Sequence, residues 1–442
     1  MEENNQAKED RREARRKRRI RNQIVAYITV ILLILAVGTG IVWGVNKLTV
    51  ERRDAEQESQ ASQDALDQML ASEDAIETPS PTPEPVVELT PEQKLDEIVN
   101  AGIEVMPLEA KVAGLFIVTP EAITGVSTAV QAGDGTREAL AQYPVGGIIY
   151  FKKNIQSADQ ITTMLDNTEL YMRYPLFLAV DEEGGSVARL AEAGVGTKVD
   201  NAKTIGESGD TNNAYQAGLT IGGDLSRIGF NLDFAPVADL ANVEGSAIGT
   251  RSYGADAAAA AGYVGAAVRG LSEQGITSCL KHFPGIGGSA QDTHTGLAST
   301  SRTAEQFRAE EFTVFQAGID AGADMVMIGH ISAPELTGSN EPCTFSEAVV
   351  TDILRNELGF DGVIITDAMN MKAVSDYYDS ADAAIQALRA GCDMILMPED
   401  FEMAYNGVLQ AVNDGIISEE RINDSLRRIY RIKYADRISE LD

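Results

Sequence analysis

The 442-residue sequence predicts an α/β fold: a single (β/α)8 TIM barrel, preceded by one transmembrane helix and a proline-rich linker. Three observations carry this. Eight short apolar runs alternate with helix-like stretches from about residue 92 to the end, as expected where each parallel strand is followed by a covering helix. Acidic, lysine or histidine residues follow five consecutive runs, the third to the seventh, and barrels place polar function at the C-terminal ends of their strands. A 22-residue uncharged stretch, Ile24–Val45, lies near the N-terminus. A doubly wound open sheet is the competing architecture for the same alternation.

In chain order, residues 1–22 carry nine Lys/Arg against five Asp/Glu. The span Ile24–Val45 would be roughly 33 Å long as a helix, enough for a bilayer core of about 30 Å. Tyr27 and Trp43 sit near its two ends, as interface anchors do. The basic run before the span predicts a cytoplasmic N-terminus (residues 1–23) and places everything after residue 45 outside the membrane. A cleaved signal peptide is the alternative, but the apolar run exceeds a usual h-region and no A-x-A site follows it. Residues 46–91 form an acidic linker, with five of the fourteen prolines between Thr78 and Pro91, a composition that gives an extended, semi-rigid spacer. The barrel domain is expected over 92–442.

The strand candidates are Leu115–Val118, Gly147–Tyr150, Leu176–Val180, Leu232–Ala235, Ile276–Leu280, Met325–Ile328, Val363–Thr366 and Met394–Met397. Helix-like stretches between them include Asp256–Gln274, Ala304–Ala321, Glu347–Leu358 and Ser380–Ala390. The overall charge of −31 is concentrated after residue 22, which argues against a nucleic-acid partner for the main domain. Cys279, Cys343 and Cys392 show neither metal-ligand spacing nor a disulfide framework and are read as inert.

The chemistry-bearing residues cluster at the run ends. The chain has only three histidines; His282 and His294 lie in KHFPGIGGSAQDTH, and His330 follows the sixth run. In an extended loop Asp292 and His294 point the same way, so the carboxylate can hold the imidazole and favour its protonated form, a proton donor near neutral pH. Asp367 ends a β-branched buried run; it is either solvated at the barrel mouth, paired, or the cap of the next helix. Asp181 and Arg189 flank a Gly-Gly turn, suited to hydroxyl recognition or to a plain ion pair. Lys281 and His282 are adjacent, so a regular strand would aim them at opposite faces; a lysine–carboxylate bridge is the structural alternative for Lys281. No metal or other cofactor is called for.

The segments DEEGGSVAR, GTRSYG, KHFPG with DTH, and VIITDAMNM, in that order across roughly residues 95–435, resemble glycoside hydrolase family 3 in its bacterial β-N-acetylglucosaminidase branch. The resemblance implies a retaining TIM-barrel hydrolase that removes terminal β-linked N-acetylglucosamine from peptidoglycan-derived or related glycans. It implies Asp367 as nucleophile, His294 as general acid/base with Asp292 as its partner, and Asp181, Arg189, Arg251, Lys281 and His282 as sugar-binding residues. Only 75 residues follow Asp367, so the acid/base is expected from the barrel itself. Family members commonly read KHFPGHG followed by an acidic residue; here Ile286 and Gly288 stand at the two polar positions. That departure keeps a membrane-tethered glycan-binding protein in play, and a phosphorylase or β-glucosidase variant is the alternative within the enzyme class.

Overall fold

The structure, a computed structural model, describes residues 89–291 and 296–435. The expected span at 24–45, nearly all of the linker and the Asp292/His294 pair lie outside the described residues. Among the described residues no helix is long and apolar enough to cross a membrane.

The barrel unit opens with helix α1 (Pro91–Glu104). Thr90 caps it, accepting from the Gln93 amide at 3.3 Å while the Gln93 side chain accepts from the Thr90 amide at 2.9 Å, a reciprocal box that satisfies two otherwise orphaned donors. Pro91, the last residue of the sequence-predicted linker, is the first of this helix, where its fixed φ and missing N–H cost nothing.

Eight parallel strands follow: β1 (Phe116–Val118), β2 (Gly147–Ile149), β3 (Phe177–Val180), β4 (Leu232–Asp233), β5 (Thr277–Phe283), β6 (Met325–Ile328), β7 (Val363–Thr366) and β8 (Ile395–Leu396). Their order is β7-β6-β5-β4-β3-β2-β1-β8, and a parallel bridge between Ile365 and Met394 joins β7 to β8. The ring therefore closes and the open-sheet alternative is set aside. Almost every strand residue is buried, which is why the runs read as continuously apolar rather than alternating: side chains pack on the barrel axis on one side and on the helical layer on the other. All eight predicted runs coincide with a strand.

Around the ring lie α2 (Asn212–Ile228), α3 (Ala257–Glu273), α4 (Glu311–Asp320), α5 (Ser380–Ala390) and α6 (Glu419–Lys433), together with further helices such as Ala158–Tyr171 and Phe401–Asn413. α6 packs beside α1, where Arg431 pairs with Asp96 at 3.0 Å and Arg427 donates to Asn100 at 2.8 Å, so the last helix covers the first. The stretch read as one helix over 304–321 is two, broken at Glu310 (φ −119°, ψ −78°). The break turns Glu310 and Glu311 toward Arg302, at 2.6 and 2.7 Å. The stretch over 347–358 is helical but wound wider, as a π-helix at Ala348–Glu357.

Candidate active site at the barrel mouth

Beyond β3 the chain makes a short antiparallel ribbon, Glu182–Gly184 against Val187–Ala188. Its turn requires φ of +88° at Gly184 and +59° at Gly185, a backbone that side-chain-bearing residues rarely adopt. The ribbon presents Asp181 and Glu183 to β5. Lys281 Nζ lies 2.8 Å from Asp181 Oδ1 and 2.7 Å from Glu183 Oε1. Arg251, from a 3-10 turn at Gly249–Arg251, grips Glu183 with two bonds of 2.8 and 2.7 Å. The Lys281 and Glu183 side chains are 3% and 5% exposed, so this cluster is shielded from water and its charges hold one another in place. Burial would raise the Glu183 carboxyl, but Lys281 and Arg251 outweigh it and hold the pKa at about 2. The two cations are in turn raised, the neighbouring carboxylates overcoming the burial that would neutralise them. Asp181 keeps its other oxygen toward Arg189, 4.0 Å away, and Arg189 stacks over the Phe151 ring at 5.7 Å with its buried Nε unpaired.

A second group gathers at β5, β6 and β7. Asp239, which follows β4, accepts from the His282 amide (3.0 Å), from His282 Nδ1 (2.7 Å) and from the Ile286 amide (2.7 Å). A carboxylate only accepts, so Nδ1 carries the proton and Nε2 is left for the site. His330 is fully buried, with Nε2 3.1 Å from the Ala368 carbonyl and Nδ1 2.7 Å from the Thr344 hydroxyl. The carbonyl requires Nε2–H, so a neutral ring accepts from Thr344; burial lowers its pKa despite Asp367 nearby. Asp367, immediately after β7, does not cap a helix: the next one, Lys372–Ser375, starts after Met371. Its Oδ1 accepts from the Ala368 amide at 2.7 Å. Burial alone would raise its pKa; His282, His330, the Ala368 amide and Lys281 together lower it, so it stands ionised.

Two further carboxyls lie beneath. Glu182 accepts from the Leu190 and Ala191 amides at 2.7 and 3.1 Å, yet burial still pushes it up to about 7. Asp233, wholly buried with one oxygen unpaired, lies well above the ordinary aspartate value for the same reason. Above, a cleft of about 570 Å³ opens at the ends of β1, β2, β7 and β8, lined by Phe151, Lys152, Lys153, Arg189, Asn370 and Glu399 among others.

Six of the eight predicted site residues, Asp181, Arg189, Arg251, Lys281, His282 and Asp367, thus fall at one end of the barrel; Asp292 and His294 lie outside the described residues. Lys281 forms the lysine–carboxylate bridge offered as the structural alternative, to Asp181 and Glu183. It shares the site with its neighbour His282 because β5 departs from a regular strand there, its register against β6 shifting between Leu280 and Phe283. Sequence reasoning missed Glu183 and Asp239. Glu183 was visible inside DEEGG as a second carboxylate in the same ribbon, and Asp239 inside APVADL just past a strand end. The departure at Gly288 also has a local account: a Cβ there would lie 2.6 Å from Cδ of Arg302, so the glycine leaves room for the arginine that pairs with Glu310 and Glu311.

A closed (β/α)8 ring with carboxylates and bases convergent at the C-terminal ends of its strands has the architecture of a barrel enzyme. The chain belongs to glycosyl hydrolase family 3: the family model described as the glycosyl hydrolase family 3 N terminal domain matches residues 107–432. It is 30% identical over 325 residues to beta-hexosaminidase A of Pseudoalteromonas piscicida, covering 67% of this chain and 54% of that protein. It is 35% identical over 281 residues to a beta-hexosaminidase of Stenotrophomonas maltophilia, covering 62% of this chain and 82% of that one. Among solved structures it resembles a glycoside hydrolase family 3 beta-N-acetylglucosaminidase from Paenibacillus with TM-score 0.71 at 34% identity, over 76% of this chain and 64% of the other. The chain thus spans about half the length of the first of these relatives and under two thirds of the Paenibacillus protein.

Proposed function

We propose that this protein is a retaining exo-β-N-acetylglucosaminidase. The observation that carries the reading is Asp367: a carboxylate at a strand end, lowered in pKa by His282, His330 and Lys281, beside a rigid charged cradle of Asp181, Glu183, Arg251 and Lys281. Ionised, Asp367 attacks the anomeric carbon of the terminal sugar while His294, held by Asp292, gives its proton to the leaving oxygen. The covalent glycosyl-enzyme is then opened by a water from which His294, now neutral, takes a proton. Asp181, Arg189, Arg251, Lys281 and His282 hold the sugar hydroxyls, with Asp239 fixing the His282 tautomer. The beta-hexosaminidase and beta-N-acetylglucosaminidase names of the relatives support the 2-acetamido sugar as substrate.

The same reading places the barrel outside the cytoplasmic membrane, tethered by residues 24–45 through the linker 46–91 and acting on cell-wall or related glycan. The uncharged 22-residue stretch and the basic run before it support this. Retention of the full chain, and release of a chain lacking residues 1–86, in alkaline-washed membranes would bear out the tether; full-chain release would remove it.

The activity is tested by comparing aryl β-N-acetylglucosaminide with aryl β-glucoside, each with and without phosphate. Release from the first alone, independent of phosphate, is expected. A phosphate-dependent rate would make the protein a phosphorylase. No release from either by folded protein would favour a glycan-binding role.

A further inference from the structure

The ribbon after β3 has two faces. Side chains alternate along an extended chain, so Asp181 and Glu183 turn toward Lys281 while Glu182, between them, turns away. Glu182 is 3% exposed, too enclosed for water to solvate its carboxylate. It meets the start of the short helix Arg189–Glu192 instead. The residue at the cap position of that helix is Ala188, which offers no side-chain acceptor, so the first amides of the turn lack a partner of their own. Glu182 supplies it: Oε2 accepts from the Leu190 amide at 2.7 Å and Oε1 from the Ala191 amide at 3.1 Å. The Arg189 amide donates to the Asp181 carbonyl at 3.3 Å. The amides of Arg189, Leu190 and Ala191 are thus all tied to residues 181 and 182.

Both ends of this link are themselves held. The Glu182 amide donates to Asp233 Oδ1, on β4, at 2.9 Å. Past the short helix, the Val195 and Gly196 amides donate to the Leu190 carbonyl at 2.9 and 3.1 Å, and the Thr197 amide donates to Asp224 of α2 at 2.6 Å. The Arg189 side chain leaves this fixed backbone, lies over the Phe151 ring at 5.7 Å and lines the cleft of about 570 Å³. Its buried Nε has no partner among the described residues. Asp181 stands 4.0 Å from the guanidinium, beyond hydrogen-bond reach, so the place of Arg189 is set chiefly through its backbone.

From this juxtaposition we propose that Glu182 is a positioning residue for substrate binding: as a carboxylate it fixes the turn from which Arg189 reaches the sugar, without touching the sugar itself. The proposal rests on the reading above in which Arg189 holds a sugar hydroxyl. A glutamine at 182 would keep one acceptor oxygen and turn its NH2 group toward the second amide N–H, so one tie is lost and the turn is free to shift. Protonation acts on the native residue in the same sense, because one of its oxygens then becomes a donor. Burial raises this carboxyl to about 7 against the two amides and Arg189, with Asp224 of α2 adding to the rise. Asp233 of β4 is the other acid facing it. Arg189 is therefore held best above pH 7 and less firmly below it.

The test is a double-mutant cycle on the full chain: the parent, Glu182→Gln, Arg189→Ala and the double variant. Titration calorimetry gives the Kd for N-acetylglucosamine, and an aryl β-N-acetylglucosaminide gives KM and kcat. At about pH 8.5, Arg189→Ala is expected to weaken binding about tenfold or more and Glu182→Gln about fivefold, with KM rising more than kcat falls. In the Arg189→Ala background the Glu182→Gln change is expected to weaken binding less than about twofold, because its effect runs through the arginine. At about pH 5.5 the parent carboxyl is protonated, and the Glu182→Gln effect is expected to shrink to less than about twofold. An equal effect in both backgrounds, an equal effect at both pH values, or an unchanged affinity in folded Glu182→Gln would each overturn the proposal. Should Glu182→Gln not fold, the parent and Arg189→Ala decide it: the ratio of their Kd values should shrink about fivefold at the lower pH, and a constant ratio would overturn it. A parent that binds the sugar without hydrolysing the glycoside would remove the hydrolase reading, and the cycle in Kd would still decide the role of Glu182. A parent that neither binds nor hydrolyses would overturn both.

Discussion

Replacing Glu183 by Gln removes one charge from the buried cradle and keeps its shape. Its carboxyl is held at about 2 against an ordinary value of 4.5, a depressed pKa, so its stabilising contribution is present above 4.5 and lost as pH falls through 2. At 1.36 kcal/mol per pKa unit the difference is about 3 kcal/mol at pH 7 and about 1 kcal/mol at pH 3. The structure gives the same size by another route. The amide keeps one acceptor oxygen, so Arg251 loses one of its two bonds to that group and both Arg251 and Lys281 lose the negative charge they share, and breaking one partner out of a buried ion cluster costs about 3–5 kcal/mol. In a unit of this size about 2 °C of melting temperature corresponds to 1 kcal/mol, so Glu183→Gln is expected to melt about 6 °C below the parent at pH 7. The gap should shrink to about 2 °C at pH 3. Thermal melts of both proteins at the two pH values measure this. A variant that melts within 1 °C of the parent at pH 7, or an offset that is the same at pH 3, would refute the view that Glu183 anchors the cradle as a carboxylate.

Three other outcomes follow from the same geometry. Asp239→Asn presents an amide to three donors that now share a carboxylate; a stability loss of about 1–3 kcal/mol in urea titration is expected, together with a fall in kcat of roughly tenfold or more as His282 loses its fixed tautomer, and an unchanged kcat would remove Asp239 as its positioning residue. His294→Ala should slow disaccharide hydrolysis by about 10²–10⁴ while sparing activated aryl glycosides, and equal losses on both would argue against an acid/base role. Because the Asp367 pKa is lowered from 3.8, its ionised form persists below that value, so the acid limb of kcat/KM that reports the nucleophile is expected below pH 3.8; a limb from Asp367 above it would contradict the charge environment described.

What the sequence disclosed and what it hid have physical causes. Each strand is buried on both faces, so each run is continuously apolar and ends abruptly where the mouth begins; this made β1 to β8 legible and put Asp181, Lys281, His282 and Asp367 on view at their ends. The partners were harder to see because they lie far apart in the chain. Glu183 meets Arg251 across 68 positions and Asp239 meets His282 across 43, so their places in DEEGG and APVADL put them near strand ends without showing which base each one meets. The alternation rule even argued against Lys281 and His282 sharing a site, and only the irregular end of β5 overrides it. Propensity missed the break at Glu310 for a similar reason, since the pull on Glu310 and Glu311 comes from the tertiary position of Arg302.

The central claim is that Asp367 forms the covalent bond to the sugar. The direct measurement is to incubate the protein with a 5-fluorinated N-acetylglucosaminyl fluoride, which slows breakdown of the glycosyl-enzyme, and to locate the adduct by peptide mass spectrometry. A single adduct on Asp367, absent from an Asp367→Asn variant that no longer turns over substrate, is the result expected here. An adduct on Asp181 or Glu183, or turnover that survives in Asp367→Asn, would contradict it.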